Sequence, residues 1–136
     1  MILVDTSAWV EYFRGTGSKA HRRVTKLVES GVRLATTEVV VMEVLAGARD
    51  DSHEQRLRGL LLGCEILTIE GLSDYERAAA LYRQCRRSGK TVRSLTDCLI
   101  AVVAIREDAE VLHVDRDFDT ISRQTPMRIA SLTGRG

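Results

Sequence analysis

Ile2-Leu3-Val4-Asp5-Thr6-Ser7 runs from three consecutive apolar residues through an acid and straight into a helical pattern that reaches Arg14. A strand apolar on both faces belongs in a sheet covered on each side, as parallel sheets are. Working outward, similar runs recur at Val32 to Ala35, Glu65 to Ile69 and Val111 to Val114, and Met127 to Ala130 reads as a last edge strand after Pro126. Helical patterns fill the intervals. Ser18 caps a helix whose inner stripe is Ala20, Val24, Leu27 and Val28. Thr36 or Thr37 caps an apolar helix that stops near Gly47. Ser52 with Gln55 and Ser73 with Glu76 resemble capping boxes. The first opens a helix buried through Leu57, Leu60 and Leu61; the second opens one that runs to Arg87 and ends at Gly89. Ser94 starts a helix through about Arg106, and a short helix follows Asp117. This alternation predicts an α/β protein, a three-layer α/β/α sandwich with a central, mostly parallel sheet.

At 136 residues the chain fits one domain. Apolar residues at 44% and charged residues at 29% exclude a disordered or collagen-like chain. The longest apolar run, Cys98 to Ile105, has eight residues, against about 20 for a membrane span. Met1-Ile2-Leu3-Val4-Asp5 lacks the charged region and long apolar stretch of a signal peptide, so a cytoplasmic protein is expected. Cys64, Cys85 and Cys98 are odd in number and widely spaced, which favours buried thiols over a disulfide framework. His21, His53 and His113 are equally scattered and offer no zinc signature. Net charge is +1, but its distribution is uneven. Arg14 to Lys26 and Arg83 to Arg93 each hold five basic residues and no acid.

The acids fall in telling places. Ligands of such sheets bind outside the carboxyl ends of the strands. Asp5 and Asp115 are the first acids beyond two strands expected to open on one edge, and Asp117 follows two residues later. Each could instead cap the next helix. Glu43 has Val39, Val40, Ala46 and Gly47 as its helical face neighbours, which turns its carboxylate inward. Burying it unpaired costs on the order of several kcal/mol, and a bound cation is the simplest compensation. The alternative is a helix-edge glutamate reaching solvent, as Glu38 is expected to do. Asp97 precedes the apolar run, yet Ser94-Leu95-Thr96-Asp97 also fits an S-x-x-D capping box, so capping and ligation both stay open. Clustered acids repel unless a divalent cation lies among them. Hard oxygen donors without His or Cys favour Mg²⁺ or Mn²⁺, ions suited to phosphodiester chemistry. Setting five acids aside (Asp5, Glu43, Asp97, Asp115 and Asp117) leaves 20 basic residues against 14 acids, a surface able to hold a nucleic-acid backbone.

Asp5-Thr6-Ser7, Glu43 within Val39-Val40-Val41-Met42-Glu43-Val44-Leu45-Ala46-Gly47, Thr96-Asp97-Cys98-Leu99-Ile100-Ala101 and Val111-Leu112-His113-Val114-Asp115-Arg116-Asp117-Phe118 together resemble the PIN-domain family. The likeness is nearest to the VapC toxins of VapBC toxin–antitoxin pairs, and it spans Ile2 to about Ile129. It implies one PIN domain over residues 1–136 and a Mg²⁺- or Mn²⁺-dependent endoribonuclease that cuts tRNA or ribosomal RNA. It also implies a homodimer silenced by a VapB antitoxin, with a larger assembly on operator DNA. Carried over by motif, Asp5, Glu43, Asp97 and Asp115 form the acidic quartet, with Asp117 as a further acid. Thr6 and Ser7 match the small hydroxyl positions. The expected roles are direct ligation by Asp5 and Asp97, with Glu43 and Asp115 completing the shell or orienting the attacking water. Products would then carry a 5′-phosphate and a 3′-hydroxyl. Attack by the RNA 2′-hydroxyl would need a His or Lys base beside the acids. His113 reads as a core residue.

Arg86, Arg87, Lys90 and Arg93 are the candidates for RNA-backbone contact, against a merely solvated helix face. Arg116 could touch phosphate or simply sit beside two aspartates. Trp9, Tyr12 and Phe13, half of the chain's aromatics, are either core or interface. Rival classes fit less well. An Asp-nucleophile phosphatase needs an acid at the position of Ser7, and a receiver domain needs paired acids and a downstream Lys. A silent scaffold PIN domain would have lost acids, and a housekeeping PIN nuclease commonly carries extra domains.

Overall fold

The computed structural model describes residues 1–133. Strands β1 (Ile2–Val4), β2 (Leu34–Thr36), β3 (Glu65–Ile66), β4 (Glu110–Leu112) and β5 (Arg128–Ile129) form one sheet in the order β3-β2-β1-β4-β5. Every pairing is parallel. Helices α1 (Thr6–Arg14), α2 (Lys19–Ser30), α3 (Glu38–Ala46) and α4 (Asp51–Leu62) carry the chain from β1 outward to β3. Helices α5 (Gly71–Arg87) and α6 (Leu95–Arg106) return it across the sheet to β4, and α7 (Arg116–Gln124) leads on to β5. Right-handed crossovers in opposite directions put the two helix groups on opposite faces. The three-layer α/β/α sandwich is therefore as expected. The direction of winding reverses between β1 and β4, so their carboxyl ends frame the crevice where such sheets bind ligands.

Leu3, Val4, Ala35, Val111 and Leu112 are fully buried between the layers. Trp9 is also fully buried, its ring stacked on Phe13 at 5.5 Å. Tyr12 and Phe13 pack against the core from its edge. Trp9 thus belongs to the core.

Several boundaries differ from expectation, each for a local reason. The box at Ser52 and Gln55 does not form: Asp50 caps α4 by accepting the His53 N–H at 2.7 Å, and Ser52 instead accepts a bond from Arg56. Helix α5 likewise starts ahead of its expected box. Gly71 takes φ +52°, a left-handed turn glycine enters freely, and the Asp74 carboxylate accepts the Glu70 N–H at 2.7 Å. β2 begins at Leu34, where pairing with Ile2 starts, so Val32 lies outside it. β3 covers only Glu65–Ile66; Leu67 still donates to the Thr36 carbonyl at 2.8 Å, and beyond it the Glu38 carboxylate accepts the Ile69 N–H at 2.9 Å. Glu38, expected only to reach solvent, therefore ties α3 to the chain beyond β3.

Asp74 is wholly buried and ion-paired to Arg106 at 2.9 Å, with Arg106 also donating to the Thr68 carbonyl. Its pKa is lowered against the cost of burial by the Glu70 N–H and the Arg106 guanidinium. Removing one member of a buried pair strands the other. Asp74→Ala should therefore destabilise the fold by about 3–5 kcal/mol. A urea midpoint unchanged from wild type would refute that.

Candidate active site

The acids converge through the sheet topology. Asp5 directly follows β1 and caps α1, its Oδ2 accepting the Ser7 N–H at 3.0 Å and the Ser7 hydroxyl at 2.6 Å. That same hydroxyl oxygen accepts the Val114 N–H at 3.1 Å. The His113 Nδ1 takes the next one, from Asp115, at 3.1 Å. β4 therefore ends at Leu112, two residues short of the expected Val114, because side chains of the site capture the backbone donors beyond it. Ser7 holds the exits of β1 and β4 together at the winding reversal.

Asp115 caps α7 by accepting the Asp117 N–H at 2.9 Å. Asp117, buried, accepts the N–H groups of Arg93 at 3.0 Å and Ser94 at 3.2 Å. This anchors the segment leading into α6 and places Asp97. The capping alternative for Asp97 fails: Ser94 makes no side-chain cap and its hydroxyl is hydrogen-bonded to that of Thr96 at 2.6 Å. Asp97 is 6% exposed and its Oδ2 has no hydrogen-bond partner among the described residues. Capping and site placement coincide for Asp5 and Asp115, but not for Asp97.

One carboxylate oxygen from each of Asp97, Asp115 and Asp117 lies within 4.8 Å of the others. Asp5 is outside that triplet, although it and Asp115 both act electrostatically on Asp97. Glu43 is half-buried on α3 and accepts the Thr6 hydroxyl at 2.9 Å. Thr6 and Ser7 thus each donate to an acid of the cluster. Burial, then Asp5 and Asp115, push the Asp97 carboxyl up to about 9. Burial also raises Asp5 and Glu43 despite their hydroxyl donors. Like charges crowded out of water favour protonation. A site of this kind fits a hard divalent cation: it offers only oxygens, and one of them is buried without a partner.

His113 is buried against Phe118, with its Nε2 3.5 Å from an Asp119 oxygen. Burial lowers its pKa, and the neutral ring accepts at Nδ1, which orients the Asp115 backbone. The sequence places His113 in the core but carries no signal for this orienting bond or for Asp119. Of the expected basic residues among those described, only Arg93 is seen against an acid of the cluster. Arg86, Arg87, Lys90 and Arg116 are exposed and form no ion pair among the described residues, with Arg86 5.8 Å from the Tyr82 ring centre. Arg93 instead leans towards Asp117, its Nε 3.9 Å from Oδ1.

A parallel sheet with its acids gathered at the β1/β4 crevice is the arrangement of a PIN domain, and a family model described as PIN domain matches residues 2–124. Among curated relatives, ribonuclease VapC11 of Mycobacterium tuberculosis is 49% identical over 132 residues, covering 96% of this chain and 98% of the relative. The chain belongs to the PIN-domain family and, within it, to the VapC ribonucleases. A solved toxin–antitoxin complex from Klebsiella pneumoniae contains a similar chain: TM-score 0.68, 27% identity, covering 95% of this chain and 100% of that one. The fold is shared with Mycobacterium tuberculosis VapC20, described as a sarcin–ricin loop cleaving toxin, at TM-score 0.72 and 17% identity, covering 94% of this chain and 99% of that one.

Proposed function

We propose that this protein is a Mg²⁺- or Mn²⁺-dependent endoribonuclease, the toxin of a toxin–antitoxin pair, acting on structured RNA such as tRNA or ribosomal RNA. The observation that carries the metal dependence is the buried, unpartnered Oδ2 of Asp97 beside the carboxylates of Asp115 and Asp117. Asp97, Asp115 and Asp117 would hold the ion, with Asp5 and Glu43 at its border. When bound, such an ion polarises a phosphoryl oxygen, lowers the pKa of water and aligns in-line attack. The protein's own part is positioning. Ser7 and Thr6 hold Asp5 and Glu43, His113 and Asp117 fix the turns that carry Asp115 and Asp97, and surface arginines take the RNA backbone. Neutral His113 makes its hydrogen bond through Nδ1 and lies outside the acid cluster. That supports water rather than the RNA 2′-hydroxyl as nucleophile.

The names of its structural relatives support a VapB-type antitoxin as partner and an assembly on promoter DNA; a homodimeric toxin and a cytoplasmic setting complete the proposal. No helix among the described residues is long and apolar enough to cross a membrane. The test is cleavage of a total tRNA and ribosomal RNA preparation. Strand scission in Mg²⁺ or Mn²⁺, abolished by EDTA and yielding 5′-phosphate ends, is expected. Equal cleavage in EDTA would overturn the reading.

A further inference from the structure

A recess of about 450 Å³ lies between α1, α3 and α4, and among its lining residues is Glu43, which is close enough to Asp5 and Asp115 to feel their charge. Phe13 and Leu57 supply its apolar wall, and Arg14, Arg49 and His53 complete the lining. Phe13 is held rigid, because Trp9 stacks on it at 5.5 Å with the rings 13° apart. Neither Arg14 nor Arg49 forms an ion pair among the described residues, and both are exposed. His53 accepts the Arg49 N–H at Nδ1, at 3.0 Å, so the ring's donor is Nε2.

We propose that this recess is a nucleotide subsite of the RNA: it takes an unstacked base next to the cleaved phosphodiester, with the adjoining phosphate on Arg14 and Arg49. The inference rests on the ribonuclease reading and deepens it. Single-stranded RNA is gripped by a rigid aromatic face for the base and by cations for the backbone. This recess presents both within one cavity. Its size falls in the usual range of about 300–1,000 Å³ for small-ligand sites. Continuity through Glu43 makes the base held here a neighbour of the reacting phosphate rather than a remote one. The His53 Nε2–H supplies a donor for a base edge or a phosphate oxygen. Charge also decides between occupants. Two unpaired arginines at the mouth suit a polyanion, whereas a purely apolar partner helix would leave them unanswered.

The test uses the full-length protein and a pool of random-sequence single-stranded RNA octamers carrying 5-bromouridine. In EDTA, ultraviolet crosslinks should map to the peptides containing Phe13 or Leu57. With Mn²⁺ and the tRNA and ribosomal RNA preparation as substrate, the exposed double variant R14A/R49A should keep its kcat and raise KM about tenfold. Without those two cations on the phosphate backbone, the slope of log KM against log salt should fall by about 1.4. Because both side chains are on the surface, an unchanged melting temperature is expected. F13L should broaden the base preference at the position next to the cut. Wild-type cleavage with unchanged KM in R14A/R49A would overturn the subsite and leave the ribonuclease reading standing; that is the result if the recess receives a protein segment. Crosslinks confined to α5 and α7 would overturn it too. No cleavage by wild type of either this pool or the tRNA and ribosomal RNA preparation would overturn both.

Discussion

Asp97→Asn should cut RNA about 10²–10³-fold more slowly than wild type at saturating Mg²⁺ or Mn²⁺, with the fold intact. Asparagine keeps the size and hydrogen-bonding shape of the side chain but removes the charge. The effect therefore reports the carboxylate and not a packing defect. Asp97 has no structural task to lose, since it makes no cap and its Oδ2 has no partner among the described residues. Asp5→Asn should lose activity by a similar factor, because asparagine caps helices as well as aspartate does. Single-turnover cleavage of the same RNA, with circular dichroism as the control, measures both. Either variant cutting at the wild-type rate would remove the acid cluster from the reaction.

The second large effect is on stability, and its sign follows from the same carboxyl. Folding raises Asp97 from its ordinary 3.8 to about 9. Between those values the folded protein keeps a proton that the unfolded chain has released, so rising pH favours unfolding. The stabilisation is complete below about pH 4 and is lost as pH climbs to about 9. Asp5 and Glu43, also raised, act in the same direction. His113 is lowered, so it opposes the trend, but only below its ordinary 6.5. The thiols, Cys98 foremost at about 12, are raised from 9, so in the unfolded chain they begin to ionise from about pH 8 and add to the same downward trend. Between pH 7 and 9 the shifted groups therefore all act with one sign. One proton is worth at most about 1.4 kcal/mol per pH unit. In EDTA the melting temperature should fall by about 5–10 °C across that window. Asp97→Asn should flatten the slope and melt higher than wild type at pH 9. Saturating Mn²⁺ should raise the melting temperature of wild type and not that of the variant. A wild-type protein that grows more stable from pH 7 to 9 in EDTA would show that these acids are not crowded.

Much of the site is legible in the sequence. The inward-facing carboxylate of Glu43 shows in the apolar neighbours around it, and Asp5 and Asp115 show in their places just past apolar strands. Asp97 is ambiguous there because a capping box and a buried acid share one pattern, S-x-x-D. Only the geometry separates them, through the Ser94–Thr96 bond that leaves the cap unmade. Helix starts at Asp50 and Gly71 escape a sequence reading for a related reason. Several residues near each start could cap, and the backbone direction entering the helix chooses among them.

By itself the sequence determined the layers and the residues that must face inward, because periodicity and strand apolarity are local properties of the chain. It also determined that unusually placed acids sit on apolar ground, since burial cost follows from neighbours a turn away. The tertiary structure alone decided which oxygens meet. The sheet order β3-β2-β1-β4-β5 brings Asp5 beside Asp115, more than a hundred residues on, and the backbone N–H groups captured by Ser7, His113 and Asp117 set the final distances. Such bonds join segments with no sequence periodicity in common, so their partners exist only once the strands have paired.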